Sequence, residues 1–139
     1  MIATTILGTV AELVAWCKGQ RRWFRVHGDS MWPTLEPGAC VLVDTRGLLP
    51  AIPNAIVVVT EPEKDGVALV KRVASVGARG FAVMSDSPVH ARDSRQFGSL
   101  APEQLVGPVT LSFDRSGGFR LFDVGSERAS PFRFRSAVP

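Results

Sequence analysis

The stretch Val67-Ala68-Leu69-Val70-Lys71-Arg72-Val73-Ala74-Ser75 decides the fold class. Period-two alternation puts Lys71 on one face with Val67, Leu69 and Val73, while Arg72 shares the other with Val70 and Ala74, as in a β-strand. Around it, from Trp23 onward, the chain breaks into further short strand-like segments separated by Gly, Pro, Asp and Asn, at 23–26, 39–44, 56–60, 68–75, 80–84, 106–113 and 119–122. That cadence predicts an all-β domain without internal repeats. Lys64-Asp65-Gly66 and Asp114-Arg115-Ser116-Gly117-Gly118 read as turns, because Gly tolerates positive φ and Asp can bond its own backbone, so two hairpins are expected.

With 139 residues, 45% hydrophobic and 21% charged, the chain has room for one domain with a real core and none for a second catalytic domain. Its 16 Lys and Arg against 13 Asp and Glu leave +3, loosely spread over 18–25 and 115–135. Nucleic-acid binding needs a one-sided cluster, so no such partner is expected. Cys17 and Cys40 lie far apart without CxxC spacing, which suggests neither a disulfide framework nor a zinc site.

Residues 2–17 are mostly apolar, but Gly8 and Glu12 interrupt them and they fall short of the roughly 20 residues that span a bilayer. Ile6, Val10, Leu13, Val14 and Cys17 recur at helical spacing against polar Thr5, Thr9, Glu12 and Lys18. The pattern predicts a short amphipathic helix packed on the domain or a partner, with a membrane surface as the alternative: contact without spanning. The basic cluster follows the apolar run, the reverse of a secretory signal. The chain thus divides into helix and basic linker (1–22), a catalytic domain (23–126) and an irregular tail (127–139) of Arg, Ser, Pro and isolated Phe.

Three segments carry the chemistry. His27-Gly28-Asp29-Ser30-Met31-Trp32-Pro33-Thr34-Leu35-Glu36-Pro37-Gly38 lies between two apolar strands, where a serine can be held at a fixed angle on a loop whose N–H groups point toward a developing oxyanion. Gly28 spares an approaching peptide a side chain. A serine hydroxyl needs a base, and a lysine serves only when held neutral, as burial among apolar groups would hold Lys71. Arg72 cannot deprotonate and is expected in an ion pair. In the third segment, Asp93-Ser94-Arg95-Gln96-Phe97-Gly98, the Asp and Arg can pair and brace the chain, with Arg92 as a competitor. His27 and His90 raise a serine–histidine alternative, but only the lysine has a supporting context. No metal spacing is present and no cofactor is expected.

Gly28-Asp29-Ser30-Met31-Trp32-Pro33-Thr34-Leu35 resembles the nucleophile box of the type I signal peptidase family, Val70-Lys71-Arg72-Val73 its general-base box, and Asp93-Ser94-Arg95 its third box. The resemblance covers about 24–109 and implies a mainly β fold of coiled antiparallel sheets with one short N-terminal helix. It implies catalytic Ser30 and Lys71, oxyanion or substrate contacts at Gly28, Asp29, Met31 and Pro33, and bracing by Asp93, Ser94 and Arg95. The partner would be a protein or peptide bound as an extended strand, with small residues beside the scissile bond. Two departures stand out. The family's Gly-Asp-Asn opening is Ser85-Asp86-Ser87 here, and a serine often found two positions before the aspartate is Ala91, which removes the lysine's usual orienting hydroxyl. With no spanning anchor, the chain is most similar to the nickel superoxide dismutase maturation proteases, a resemblance that implies a cytoplasmic enzyme removing an N-terminal extension, with a peripheral membrane location as the alternative. The alternatives are a membrane-associated signal peptidase, a self-cleaving repressor peptidase, whose pattern lacks Pro-Thr-Leu, and an inactive binding module on the same fold.

Overall fold

The computed structural model describes residues 2–47, 50–87 and 92–122. Helix α1 (Ile2–Cys17) precedes strands β1 (Arg21–Arg25), β2 (Cys40–Asp44), β3 (Ile56–Thr60), β4 (Ala68–Val76) and β5 (Phe81–Met84). A one-turn helix α2 (Ser94–Phe97) then leads to β6 (Leu105–Phe113) and β7 (Phe119–Leu121). All strand pairs are antiparallel, in the order β1-β2-β6-β3-β4-β5 with β7 also on β6, giving one seven-stranded open sheet among the described residues. The mainly β fold with a short N-terminal helix is therefore as predicted, and both expected hairpins form, β3–β4 and β6–β7. The tail at 127–139, His90 and Ala91 lie outside the described residues.

β2 and β3 show no polar alternation because they are buried on both faces; Val41, Leu42, Val43, Val57, Val58 and Val59 are all at most 1% exposed. Two apolar clusters result. Val41, Val43, Ile56, Val58 and Val109 form the first, joined by Val26, Met31, Leu35 and Ala39 from the β1–β2 connection. Val57, Val59, Val73, Phe81, Val83 and Leu100 form the second. Each buried valine contributes about 1.5–3 kcal/mol of transfer free energy. Where β6 passes from β2 to β3, a Cβ on Gly107 would stand 1.8 Å from the Asp44 carbonyl oxygen, so only glycine allows that approach.

Strand register aligns Trp23, Leu42, Leu111 and Leu121 in one row, and α1 lies over it. Gly8 faces Leu121 so closely that a Cβ would come within 2.6 Å of its Cδ1, and Trp16 meets Trp23 edge-on at 6.0 Å. Arg21 donates to both Glu12 carboxylate oxygens, at 2.6 and 3.2 Å, and also pairs with buried Asp44. Burial raises the Glu12 carboxyl, but hydrogen bonds from Arg21 and Thr110 outweigh it and hold the group below its ordinary value. The helix thus rests on its polar side. Of the stripe expected to pack on the domain or a partner, Leu13 is half-buried while Ile6, Val10, Val14 and Cys17 face solvent and do not pack on the domain.

Candidate active site

The loop carrying Ser30 connects β1 to β2 and is closed at its base by Val26 N–H to Ala39 and Gly38 N–H to Val26, both 2.8 Å. Met31 and Leu35, 0% and 2% exposed, plug into the first apolar cluster and fix the loop. Between these anchors, Gly28, Asp29 and Pro33 are exposed and Ser30 is half-buried. Gly28 has φ 73, which glycine adopts without strain, and nothing among the described residues lies within 4 Å of an added Cβ. Among the described residues the Ser30 N–H finds no acceptor, which leaves it available to an oxyanion.

Lys71 sits in the middle of β4 opposite Val57, and only 2% of it is exposed. Burial pushes its amine below the ordinary lysine value; the Asp93 and Glu61 carboxylates oppose that shift and Arg95 adds to it. The alternation read from the sequence holds over 69–73, where Val70 packs against the first cluster, Leu69 against the second and Val73 belongs to the second; Val67 is exposed outside β4, and the register shifts between Val73 and Ser75. The amine donates to Ser85 Oγ at 2.9 Å. Among the described residues no hydrogen bond joins it to Ser30 directly.

The two elements meet through Ser85-Asp86-Ser87, which leaves the end of β5. Ser85 receives Lys71, and the Ser87 N–H donates to the Ser30 carbonyl at 2.9 Å. Between them, Asp86 accepts both Arg72 Nε and Nη2 at 2.7 Å and the Thr34 hydroxyl at 2.5 Å. Arg72 is thus the structural ion pair expected of it. Lys71 and Arg72 leave β4 on opposite faces, and this short segment gathers both, together with the serine loop.

Behind it, Asp93 is fully buried and accepts Arg95 Nε and Nη2 at 3.0 and 2.9 Å, the Arg95 N–H at 3.0 Å and the Ser85 N–H at 3.0 Å. Burial raises this carboxyl, but those bonds prevail and hold it well below the usual carboxylate range. Arg92 does not compete for Asp93; it pairs with Glu61 and Glu63. Ser94 Oγ accepts the Val83 N–H at 2.8 Å, and Leu100 exchanges backbone bonds with Phe81. The outward N–H groups of residues 81, 83 and 85 are all satisfied by the chain itself, so the outer edge of β5 is sealed. β5 reaches only to Arg72, and among the described residues no strand pairs with β4 at 68–71 on the side away from β3.

Sequence reasoning found the serine, the lysine and the Asp–Arg pair but treated 85–87 as a departure from a pattern. The available signal was that Ser85 directly follows a strand predicted beside that of Lys71. His27 is exposed, and among the described residues no hydrogen bond joins it to this cluster.

The protein-family model described as Peptidase S24-like matches residues 5–99, a span that includes Ser30, Lys71, the 85–87 segment and Arg95. No curated protein matches the chain.

Proposed function

Because the chain belongs to the Peptidase S24-like family of serine peptidases, we propose that it is an endopeptidase in which Ser30 is the nucleophile and Lys71 its general base. The observation that carries this reading is the buried Lys71 amine, its pKa lowered by desolvation, held by the same three-residue segment that binds the Ser30 backbone. An extended peptide lies along the open edge of β4 at 68–71, which delivers its carbonyl beside Lys71. Ser30 Oγ attacks that carbonyl carbon while neutral Lys71 takes the hydroxyl proton, and the Ser30 N–H receives the oxyanion. The Lys71 ammonium then protonates the departing amine as the C–N bond breaks, leaving an acyl-serine. A water that gives a proton to Lys71 attacks the ester, and Lys71 returns that proton to Ser30 Oγ as the acyl–oxygen bond breaks and the acid leaves. Catalytic hydrogen bonds are often long or unformed without substrate, so the amine moves from Ser85 to Ser30 as the peptide settles.

The reading extends to substrate. The three sequence boxes favour removal of an N-terminal extension by a cytoplasmic processing enzyme, with the nickel superoxide dismutase precursor as the first protein to try. Among the described residues no helix is long and apolar enough to cross a membrane. The test is intact-mass spectrometry of that precursor, of other leader-bearing proteins and of the chain itself, incubated with wild type, Ser30→Ala and Lys71→Met. Loss of a leader with wild type alone supports the dyad. Cleavage by either folded variant would sink it, and shortening of the chain itself would redirect the reading to self-processing.

A further inference from the structure

Two carboxylates act on the Lys71 amine, Asp93 and Glu61. Asp93 comes from the N-terminal cap of α2 and is engaged by Arg95. Glu61 comes from the other side, one residue beyond β3. Its N–H donates to the Val67 carbonyl at 2.9 Å, which carries the β3–β4 ladder one step past Thr60 and Ala68. By alternation Glu61 shares a face with Val59 and Val57, the partners of Leu69 and Lys71. Its side chain is only 3% exposed, and a carboxylate so placed needs a partner. Arg92 is that partner, with Nε on Glu61 and Nη2 on the exposed Glu63. The arginine side chain is 39% exposed, so the pair runs from the surface down to the buried carboxylate.

We propose that Arg92 is a positioning residue for Lys71 that acts through Glu61: it binds the charge of that carboxylate and fastens the chain ahead of Asp93 to the β3–β4 hairpin. The inference rests on the catalytic role of Lys71 given above. Left unpaired, Glu61 would favour the ammonium form of the amine and work against the burial that makes Lys71 a base. The charged groups that act on the amine are Glu61 from the end of β3 and Asp93 and Arg95 from α2 and its cap, while Ser85 beyond β5 accepts its hydrogen bond. Each of the two carboxylates therefore has its own arginine, Arg95 for Asp93 and Arg92 for Glu61. Glu63 takes the other arm of Arg92 at the surface, where solvent screens its charge. Because Arg92 directly precedes Asp93, the same clamp steadies the carboxylate that holds the Ser85 N–H.

The experiment is a carbon-13 NMR titration of the full chain labelled at the lysine Cε, which needs no substrate. The lysines are Lys18, Lys64 and Lys71, and Lys71→Met assigns the third signal. Arg92→Gln should raise the Lys71 midpoint above that of wild type, and Glu61→Gln should lower it. The double variant Glu61→Gln/Arg92→Gln should return it to the wild-type position or below. Peptidase activity should follow the amine: Arg92→Gln should lose about threefold to tenfold at neutral pH, recover as pH rises, and regain the loss in the double variant. An unmoved midpoint in Arg92→Gln overturns the proposal, and so does a rise that persists in the double variant, since Arg92 would then not act through Glu61. If Arg92→Gln does not fold, Glu61→Gln decides alone, and a midpoint that stays or rises overturns the proposal. The stated shifts in a chain that cleaves no peptide would uphold the Arg92–Glu61 link and sink the catalytic reading instead.

Discussion

The Lys71 amine rests on the hydroxyl of Ser85, 2.9 Å away, and the Ser85 N–H is itself held by the Asp93 carboxylate at 3.0 Å. A hydroxyl absent at Ala91 in the sequence is thus supplied to the lysine from another position. Ser85→Ala should lower kcat on the order of 10- to 100-fold, the effect of a misplaced catalytic group, with KM little changed. A buried ammonium deprived of an acceptor deprotonates more easily, so the pH limb of activity should move to lower pH. Ser85→Thr, which keeps the hydroxyl, should restore both. An unmoved limb and unchanged kcat in Ser85→Ala would remove Ser85 from any positioning role.

Burial lowers the Lys71 pKa, and activity should therefore rise with pH as the ammonium loses its proton, with a midpoint below the ordinary lysine value of 10.5. Stability has a related signature. Between the lowered folded pKa and 10.5 the unfolded chain binds more protons than the folded one, so the burial penalty is present at neutral pH and fades as pH rises. Lys71→Met should consequently be more stable than wild type at neutral pH, and the advantage should shrink toward pH 10.5 in denaturant titrations.

Asp93 has the opposite dependence. Its depressed carboxyl stabilises the fold fully above its unfolded pKa, near 3.8, and that contribution is lost as pH falls below it. Asp93→Ala removes a helix N-cap and strands the buried N–H of Ser85, which should cost about 2–4 kcal/mol in chemical denaturation at neutral pH. The variant's acid unfolding limb should also be flatter than that of wild type, and identical limbs would contradict this role.

Asp86 joins Arg72 to Thr34, coupling β4 to the serine loop. Asp86→Ala should speed amide hydrogen exchange across 29–35 while leaving β2 and β3 protected, and should reduce activity with a fold that remains intact. Thr34→Val, which removes one arm of the contact, should do the same more weakly.

The strands, the turns and the buried face of Lys71 were legible because they follow from local rules: period-two alternation, a glycine that permits a turn, and apolar residues that must find a core. The runs Val41-Leu42-Val43 and Ile56-Val57-Val58-Val59 were legible as strands, and the structure places both inside the sheet. The segment 85–87 was not legible in the same way, since its value lies in contacts with residues far along the chain, Lys71, Arg72, Thr34 and Ser30, and no local pattern encodes them. The orientation of α1 was hidden for a related reason. Helical periodicity marks an apolar stripe but not which side turns inward. Here the buried Arg21–Asp44 pair beneath the helix selects Glu12, and Leu121 of the sheet row packs against Gly8 of the helix.

The sealed outer edge of β5 also governs colloidal behaviour. An exposed strand edge is a template for association with other chains, and fibre growth begins on edges of this kind. Ser94, Leu100 and Asp93 occupy the N–H groups that a neighbouring molecule would need, so the long flank of the sheet on that side cannot be extended by another copy. Among the described residues, the opening on that side runs along 68–71, too short to seed a second sheet and still long enough for a few residues of extended peptide.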